Sequence, residues 1–158
     1  MSNKKTNAMR ELDKAKISYS VLSYEVDENN LSADYVAGKI NHDIGQVFKT
    51  LALVNDKKEF MIACVPGDVE IDLKKLARLA GCKKAEMLEL KYLLEYTGYI
   101  RGGCSPLGIK KRHNSFIHQA ALEYEQIIVS AGQRGLQVKL APQDLIKYLN
   151  MQVGDLAM

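Results

Sequence analysis

The chain has no tryptophan, and only three prolines and three cysteines among its 158 residues. Cys64, Cys82 and Cys104 are odd in number and form no close pair, which argues against a disulfide framework and favours a reducing compartment. No C-x-x-C or H-E-x-x-H motif is present, so the sequence gives no support for a zinc site. We therefore expect no metal, no organic cofactor and a cytoplasmic location.

Long apolar runs are also missing. The longest stretch without Asp, Glu, Lys or Arg covers residues 113–122, far short of the roughly 20 apolar residues that cross a bilayer. Residues 1–16 are polar and mix both charges, unlike the apolar core of a secretory signal. The sequence therefore predicts neither a membrane span nor secretion.

The chain carries a small excess of positive charge. The net charge is +3, weaker than in most nucleic-acid-binding domains, yet it permits such binding if the positive residues share one face. Apolar residues make up 47% and charged residues 26%, which is ordinary for a globular domain and argues against disorder. With no repeat or linker, residues 1–158 are predicted to form a single domain.

Hydrophobic periodicity predicts a mixed α/β fold with a mixed sheet, because helices and strands alternate while several strands are joined by short turns. Ser32 and Asp72 are expected to cap helices, Gly81 to end one and Pro142 to begin one. The predicted helices cover 7–16, 33–40, 72–80, 88–96 and 142–149, with a short one at 120–124. The predicted strands cover 17–26, 47–54, 59–65, 115–118, 126–130 and 136–140.

Lys49 is the first unusual residue, because it lies in the otherwise apolar strand 47–54. On a strand it shares a face with Val47, Leu51 and Leu53. Such a lysine is either a guard against edge-to-edge pairing or a cation held in a cleft. In a cleft of low dielectric, its ammonium would act strongly on an anion or a polarised carbonyl group.

The segment 97–108 contains four glycines in twelve residues. Glycines let backbone N–H groups approach a ligand, where they can serve as donors to an oxyanion or a phosphate. The spacing from Gly103 to Gly108 resembles the opening of a P-loop, but Ile109 and Lys110 stand where Lys and Ser/Thr are required. Ser105 also lacks a G-x-S-x-G context. An irregular structural turn is the alternative.

Two further segments follow this loop in the chain, and the first is expected to lie beside the candidate oxyanion site that the loop forms. Lys110, Lys111 and Arg112 form a basic cluster, which is either a solvated face or a contact for a phosphate backbone. Residues 130–135 form a turn with two glycines, Ser130 and Arg134, which is either a hairpin corner or a second wall of the same pocket. No serine–histidine–acid triad can be assembled, and Cys104 is best interpreted as a small apolar filler.

Together these segments resemble the YbaK/EbsC family of aminoacyl-tRNA deacylases, which is related to the editing domain inserted in some prolyl-tRNA synthetases. They occur in the family's order along nearly the whole chain. The matching pieces are Val47-Phe48-Lys49-Thr50-Leu51, Thr97-Gly98-Tyr99, Gly102-Gly103-Cys104-Ser105-Pro106-Leu107-Gly108, Lys110-Lys111, Val129-Ser130-Ala131-Gly132-Gln133-Arg134-Gly135-Leu136 and Ala141-Pro142-Gln143-Asp144-Leu145.

The resemblance implies a central barrel-like mixed sheet flanked by helices. It also implies that Lys49 and Gly102 are catalytic, with Lys49 as the family's essential lysine and Gly102 opening its G-x-x-x-P loop. By the same resemblance Tyr24, Thr50 and Ser130 match pocket positions. We also expect substrate binding by Gly103, Cys104, Ser105, Pro106, Gly132 and Arg134, and tRNA contact by the basic residues Lys110, Lys111 and Arg112. One departure is Cys104, because the family usually has a larger aliphatic residue there.

The implied activity is trans-editing of Cys-tRNA(Pro), or of Cys-tRNA(Cys), in which the substrate's own thiol attacks its ester. Such a reaction needs no protein nucleophile, which agrees with the missing triad. Two alternatives stay open: a deacylase for Ala-tRNA(Pro) or another small aminoacyl-tRNA that uses water, and a non-catalytic module that binds tRNA or a small ligand. Aminoacyl-tRNA is the expected partner, and prolyl-tRNA synthetase is a candidate second one.

Overall fold

A computed structural model describes residues 5–158 of the chain. The helices are α1 (Asn7–Lys14), α2 (Ala33–Ile40), α3 (Leu73–Ala80), α4 (Leu93–Thr97) and α5 (Pro142–Leu149), with 3-10 turns at Ile44–Gln46, Leu90–Tyr92 and Gln119–Glu123. The strands are β1 (Tyr19–Ser23), β2 (Phe48–Asn55), β3 (Phe60–Pro66), β4 (Ala85–Met87), β5 (Asn114–His118), β6 (Ile127–Ser130), β7 (Leu136–Leu140) and β8 (Gln152–Gly154). The prediction of a mixed α/β fold is confirmed.

Local sequence signals set the helix ends. The Ser32 hydroxyl accepts from the Tyr35 N–H, and the Asp72 carboxylate accepts from the N–H groups of Lys74 and Lys75. Gly81 adopts a left-handed φ of 73° after α3, and Pro142 is the first residue of α5. These caps satisfy backbone groups that a helix terminus leaves without partners, which explains why the predicted boundaries are close to the observed ones.

The strands form two sheets. One is antiparallel with the order β1-β7-β6, and the other is mixed with the order β4-β2-β3-β5-β8. In the mixed sheet β2 pairs antiparallel with both β3 and β4, whereas β5 pairs parallel with β3 and β8. Among residues 5–158, one isolated bridge between Val47 and Ile128 joins the sheets. The expected barrel-like sheet is therefore an open arrangement, and no closed barrel forms in the described part of the chain.

The predicted elements differ from the structure where strands are short. β4 and β8 were not expected, because each is three residues long and lacks a run of β-branched side chains. The single helix predicted at 88–96 is a 3-10 turn followed by α4, and the predicted strand 17–26 shortens to Tyr19–Ser23. Short edge strands form through pairing with a neighbour, a signal that periodicity does not carry.

Both faces of the mixed sheet are covered. Leu53 and Met61 pack against α3 on one face, while Phe60 and Ile62 pack against α4 and the loop after it on the other. Every residue of β3 is buried. Within residues 5–158, no helix is long and apolar enough to cross a membrane. The buried β3 thus provides a fixed frame for the groups at its two ends.

Candidate functional site

A cleft of about 420 Å³ opens at the first residues of β2. Its walls are the start of α2, the residue that follows β3, the loop after α4, and facing residues of β6 and β7. The side chains that line it include Ser32, Asp34, Lys49, Thr50, Arg101, Cys104, Ser130 and Gln137. It contains two cationic groups and one carboxylate, so it suits a polar, partly anionic ligand.

Lys49 lines this cleft as a half-buried cation. Its Nζ donates to the carbonyl oxygen of Gly67 at 3.4 Å. β4 pairs with β2 only at residues 53–55, but the Lys49 side chain is half-buried among cleft residues instead of projecting from an open sheet edge. The structure therefore favours the second interpretation of the sequence, a cation held in a cleft.

Gly67 fixes the place of that carbonyl oxygen, although sequence reasoning did not single it out. A Cβ on Gly67 would collide with the side chain of Ala33 and come within 3.2 Å of Ile44. The Gly67 N–H donates to the Val47 carbonyl at 2.7 Å. The absence of a side chain thus lets the chain after β3 pass close to α2 and present its carbonyl to Lys49. The Pro66-Gly67 pair, a turn signal after a strand, was the available clue.

The glycine-rich loop contributes Gly102 and Cys104 to the same cleft. Gly102 has a φ of 87°, which L-residues with a side chain rarely adopt, and an added Cβ would come within 3.2 Å of both Arg134 and Leu31. Arg134 donates from Nε to the carbonyl oxygen of Arg101 at 2.8 Å. Arg134 of the 130–135 turn therefore packs against the loop, and Ser130 at the start of that turn lines the cleft.

Other members of the predicted loop support it from behind. An added Cβ on Gly103 would lie 3.2 Å from the Gln133 backbone. Ser105 and Pro106 are buried, and the Ser105 hydroxyl accepts from the Leu107 N–H at 3.2 Å. Gly132 lies against the ring of Tyr99. These residues lie outside the lining of the cleft, and substrate contact through them stays a prediction.

Ser130 and Gln137 form the wall opposite Lys49's strand, and both are almost fully buried. The Ser130 hydroxyl accepts from the Gly132 N–H at 3.1 Å. A hydroxyl also carries a proton to donate, and no acceptor for it lies within hydrogen-bond distance among residues 5–158. Ser130 can therefore donate to a group in the cleft. Gln137 is paired with Ser130 across β6 and β7, but sequence analysis missed it.

Thr50 lines the cleft and contacts one of the two thiols in this region. Its Oγ1 lies 3.6 Å from the Sγ of Cys64, the residue opposite it on β3. Burial raises the pKa of Cys64 to about 12, although the Thr50 hydrogen bond acts in the opposite direction. Burial likewise raises the pKa of Cys104 to about 11, opposed by a hydrogen bond with Thr97. Both thiols are therefore neutral near pH 7, a poor state for a nucleophile.

Tyr24 does not line the cleft in this structure. Its N–H donates to the Gly135 carbonyl at 3.0 Å, and its ring packs edge-to-face with Tyr35, with centroids 6.4 Å apart. It therefore supports the 130–135 turn and α2. A direct role in substrate binding stays a prediction.

The basic cluster lies away from the cleft. Lys111 and Arg112 line a separate hollow with Lys58 and Phe60, at the β2–β3 turn end of the sheet. The expectation that this cluster lies beside the candidate oxyanion site is wrong. β5, which follows the cluster, begins opposite Met61 rather than near Val65, so the cluster lies at the other end of the sheet. Contact with tRNA through Lys110, Lys111 and Arg112 stays a prediction.

Comparison with known proteins shows which family this chain matches. Residues 27–148 match the family described as the aminoacyl-tRNA editing domain. The chain is 44% identical, over 98% of its length and 94% of the relative's, to an Enterococcus faecalis protein named "Putative Cys-tRNA(Pro)/Cys-tRNA(Cys) deacylase EbsC". This chain belongs to the aminoacyl-tRNA editing domain family. The resemblance found in the sequence is therefore confirmed.

Solved structures show the fold of this editing domain. One, titled "Crystal structure of a putative trans-editing enzyme for prolyl tRNA synthetase", superposes with a TM-score of 0.80 at 22% identity and covers 96% of this chain and 92% of its own. A hypothetical protein superposes with a TM-score of 0.88 at 16% identity, over 97% and 100% of the two chains. The editing-domain fold expected from sequence is confirmed.

The editing domain's cleft therefore combines three chemical elements. It has the Lys49 ammonium, the main chain of the loop at Gly102 and Cys104, and a hydroxyl proton at Ser130. Neither thiol is poised to attack. Such an arrangement can orient an ester and stabilise negative charge on its carbonyl oxygen.

Proposed function

We propose that this editing domain acts in trans as a deacylase for Cys-tRNA(Pro), with Cys-tRNA(Cys) as a second substrate. The observation that carries this proposal is the meeting of Lys49, Gly102 and Cys104 at one cleft in which no thiol is activated. The name of the Enterococcus faecalis relative supports the same substrates.

The missing nucleophile suggests that the substrate supplies one. The cysteinyl sulfur attacks its own carbonyl carbon, and the carbon–oxygen bond to the terminal ribose breaks. The thiol proton passes to the ribose oxygen, which leaves as a hydroxyl, and a cyclic thioester is released. Holding sulfur and carbonyl carbon in contact can supply much of the acceleration, because the reaction becomes effectively unimolecular.

The cleft then has two tasks. The N–H groups of Gly102 and Cys104 donate to the oxygen that becomes negative during attack, because that of Gly103 already donates to the Ile100 carbonyl. Lys49 lowers the cost of that charge or holds a phosphate. The Gly67 carbonyl restricts where the ammonium can lie. Removal of one fixed donor from such a site commonly costs about 10² to 10³ in rate.

The test compares wild type with Lys49→Ala and Lys49→Arg on Cys-tRNA(Pro), Cys-tRNA(Cys), Ala-tRNA(Pro) and Ser-tRNA. We expect release of cysteine by wild type and a loss of about 10²-fold in kcat for Lys49→Ala. Equal rates for wild type and Lys49→Ala would remove Lys49 from the mechanism. Preference for alanine over cysteine would favour the water-dependent alternative, and binding without turnover would favour the non-catalytic one.

A thiol of the protein is tested separately with Cys104→Ser. A substrate-assisted reaction retains most of its rate in this variant, because Cys104 forms a wall and does not attack. Complete loss of turnover in a folded variant that still binds tRNA would point to Cys104 as the nucleophile. Cys82→Ser is the control, since Cys82 lies outside the cleft.

A partner is also proposed. The net charge of +3 is modest for a tRNA-binding protein, which suggests that prolyl-tRNA synthetase helps to present the substrate. The measurement is tRNA affinity with and without the synthetase at stated salt. An unchanged affinity would argue against this help.

A further inference from the structure

The turn end of the mixed sheet carries a second hollow, of about 460 Å³, separate from the cleft. Its lining includes Lys58, Phe60, Lys111, Arg112 and His113. We call these five residues, with Tyr96, the basic–aromatic surface. None of them lines the cleft that holds Lys49.

Aromatic rings form the base of this surface. Phe60 and Tyr96 pack edge-to-face with centroids 5.4 Å apart, and the His113 ring lies 5.4 Å from Phe60. The Nζ of Lys111 lies 4.8 Å from the centre of the Tyr96 ring. This contact orients a lysine that would otherwise move freely, which reduces the entropy lost when it meets an anion.

The positive charge of this surface is largely uncompensated. Lys111 and Arg112 are exposed, and among residues 5–158 no carboxylate lies within 4.0 Å of either. Glu59 also borders the hollow and accepts from Asn55 at 2.9 Å, so its one negative charge faces three cations in the lining. Lys58 has only an exposed contact with Glu86 at 3.6 Å. A surface of this kind favours a polyanion over an acidic side chain or a single ion.

One segment connects this surface to the cleft. The chain from α4 through residue 112 crosses the face of the sheet formed by Phe60, Ile62 and Cys64, since Tyr96 and Ile109 pack on Phe60 and Ile62. Farther along, the same segment supplies Gly102 and Cys104 to the cleft. Four steps of β3 separate Met61 from Val65, which is about 13 Å at 3.3 Å per residue.

We propose that the basic–aromatic surface binds the phosphate backbone of the tRNA acceptor strand, upstream of the ester that lies in the cleft. A stacked strand advances about 3.4 Å per nucleotide, so about four nucleotides span the distance between the two sites. Phe60 is buried and Lys111 covers the Tyr96 ring, so the exposed cations carry the match to the repeated charges of a phosphate backbone. This inference rests on the proposed function for the position of the ester.

The test uses two double variants that remove the same charge. K111A/R112A alters the basic–aromatic surface, whereas K74A/R78A removes two exposed cations from α3, outside the cleft and the hollow. Each is assayed on Cys-tRNA(Pro) and on cysteinyl-adenosine, which carries the ester without upstream phosphates. Binding of uncharged tRNA(Pro) is measured over a range of salt.

For K111A/R112A we expect kcat/KM on Cys-tRNA(Pro) to fall on the order of tenfold at about 0.1 M salt, with no change on cysteinyl-adenosine. The slope of log affinity against log salt should become shallower by about 2, one for each phosphate contact. K74A/R78A should match wild type in all three measurements.

Equal losses in the two double variants, or the same loss on the short substrate, would overturn the proposal. So would unchanged tRNA binding with loss of binding to prolyl-tRNA synthetase, which would make this a protein interface. If wild type cleaves neither ester, the proposed function fails, while a shallower salt slope confined to K111A/R112A would still support a tRNA-binding surface here.

Discussion

At the first residues of β2, Lys49 and Thr50 direct polar groups toward an open cleft, whereas at its last residue Asn55 uses its whole amide inside the protein. The Asn55 Nδ2 donates to Glu59, and its Oδ1 accepts from the N–H groups of Lys57 and Glu59. One end of the strand keeps hydrogen-bonding capacity for a ligand, and the other uses its capacity to close a turn. Substitutions at the two ends should therefore affect different measurements.

Gly102→Ala is the strongest way to test the cleft end. The left-handed φ costs about 1 to 2 kcal/mol with any side chain, and the new Cβ presses on Arg134 and Leu31. Displaced N–H groups should lower kcat for deacylation on the order of 10²-fold. Gly98→Ala is the matched control, because Gly98 has a φ of 81° with nothing within 4 Å of an added Cβ. Equal kcat losses in the two variants would mean that strain, and not the cleft, is responsible.

Alkaline pH should lower the free energy of unfolding, because the Cys64 thiol is buried in the core next to the cleft. Burial raises the pKa of Cys64 from its ordinary 9.0 to about 12, so the folded state favours the protonated thiol. Stability from this group is complete below pH 9 and is lost as the pH rises toward the folded value, by up to about 1.4 kcal/mol per pH unit. Burial also raises the pKa of Tyr99, whose hydroxyl donates to the Leu107 carbonyl.

The measurement is urea unfolding at several pH values between about 8 and about 10.5. The free energy of unfolding should fall over this range, and the fall should be smaller in Cys64→Ala, which has no thiol to ionise there. A stability that is flat in this range, or one with the same slope in Cys64→Ala, would contradict the assignment.

Asn55→Ala tests the turn end. Two backbone N–H groups and the Glu59 carboxylate lose their partner, so the free energy of unfolding should drop by about 1 to 2 kcal/mol. The kcat on Cys-tRNA(Pro) should stay at the wild-type value under conditions where the variant is folded. Lys57→Ala is the control, since only its backbone N–H takes part. A large fall in kcat for Asn55→Ala would show that the two ends are coupled.

The smallest effect is expected on the outer face of α2, whose first turn borders the cleft. Gly38 is exposed within the helix, and an added Cβ meets nothing within 4 Å. Gly38→Ala should raise the free energy of unfolding by about 0.5 to 1 kcal/mol and leave kcat unchanged. Gly67→Ala should lower both the free energy of unfolding and kcat, because its Cβ would collide with Ala33. Stabilisation by both changes would contradict this description of the cleft wall.

The sequence was informative where a residue conflicts with its surroundings. A lysine in an apolar strand and a glycine-rich loop both led to the cleft, and Ser32, Asp72 and Gly81 placed helix ends because capping is local. Gln137 and Asp34 were missed for the opposite reason. Each looks ordinary in its own element, a polar residue on a strand and an acid in the first turn of a helix, and only tertiary placement brings it to the cleft.

The basic cluster shows a second reason for failure. Lys110 to Arg112 follow the glycine-rich loop closely in the chain, so sequence proximity suggested spatial proximity. The loop instead crosses the sheet before β5 begins, and Ile109 packs near Phe60 at the far end. The sequence shows which segments are present, but strand pairing decides which of them come into contact.

The bridge between Val47 and Ile128 has a consequence for how wide the cleft is. Lys49 lies two residues beyond Val47, and Ser130 lies two residues beyond Ile128, so the two polar groups face each other across the seam between the sheets. One core is shared across that seam, because Phe48 and Cys64 of the mixed sheet pack in the same cluster as Val129 and Val138 of the antiparallel sheet. A one-residue slip at this junction would therefore disturb the shared core and turn both polar groups away from the cleft. The separation of Lys49 and Ser130 across the cleft is thus set by the pairing between the two sheets.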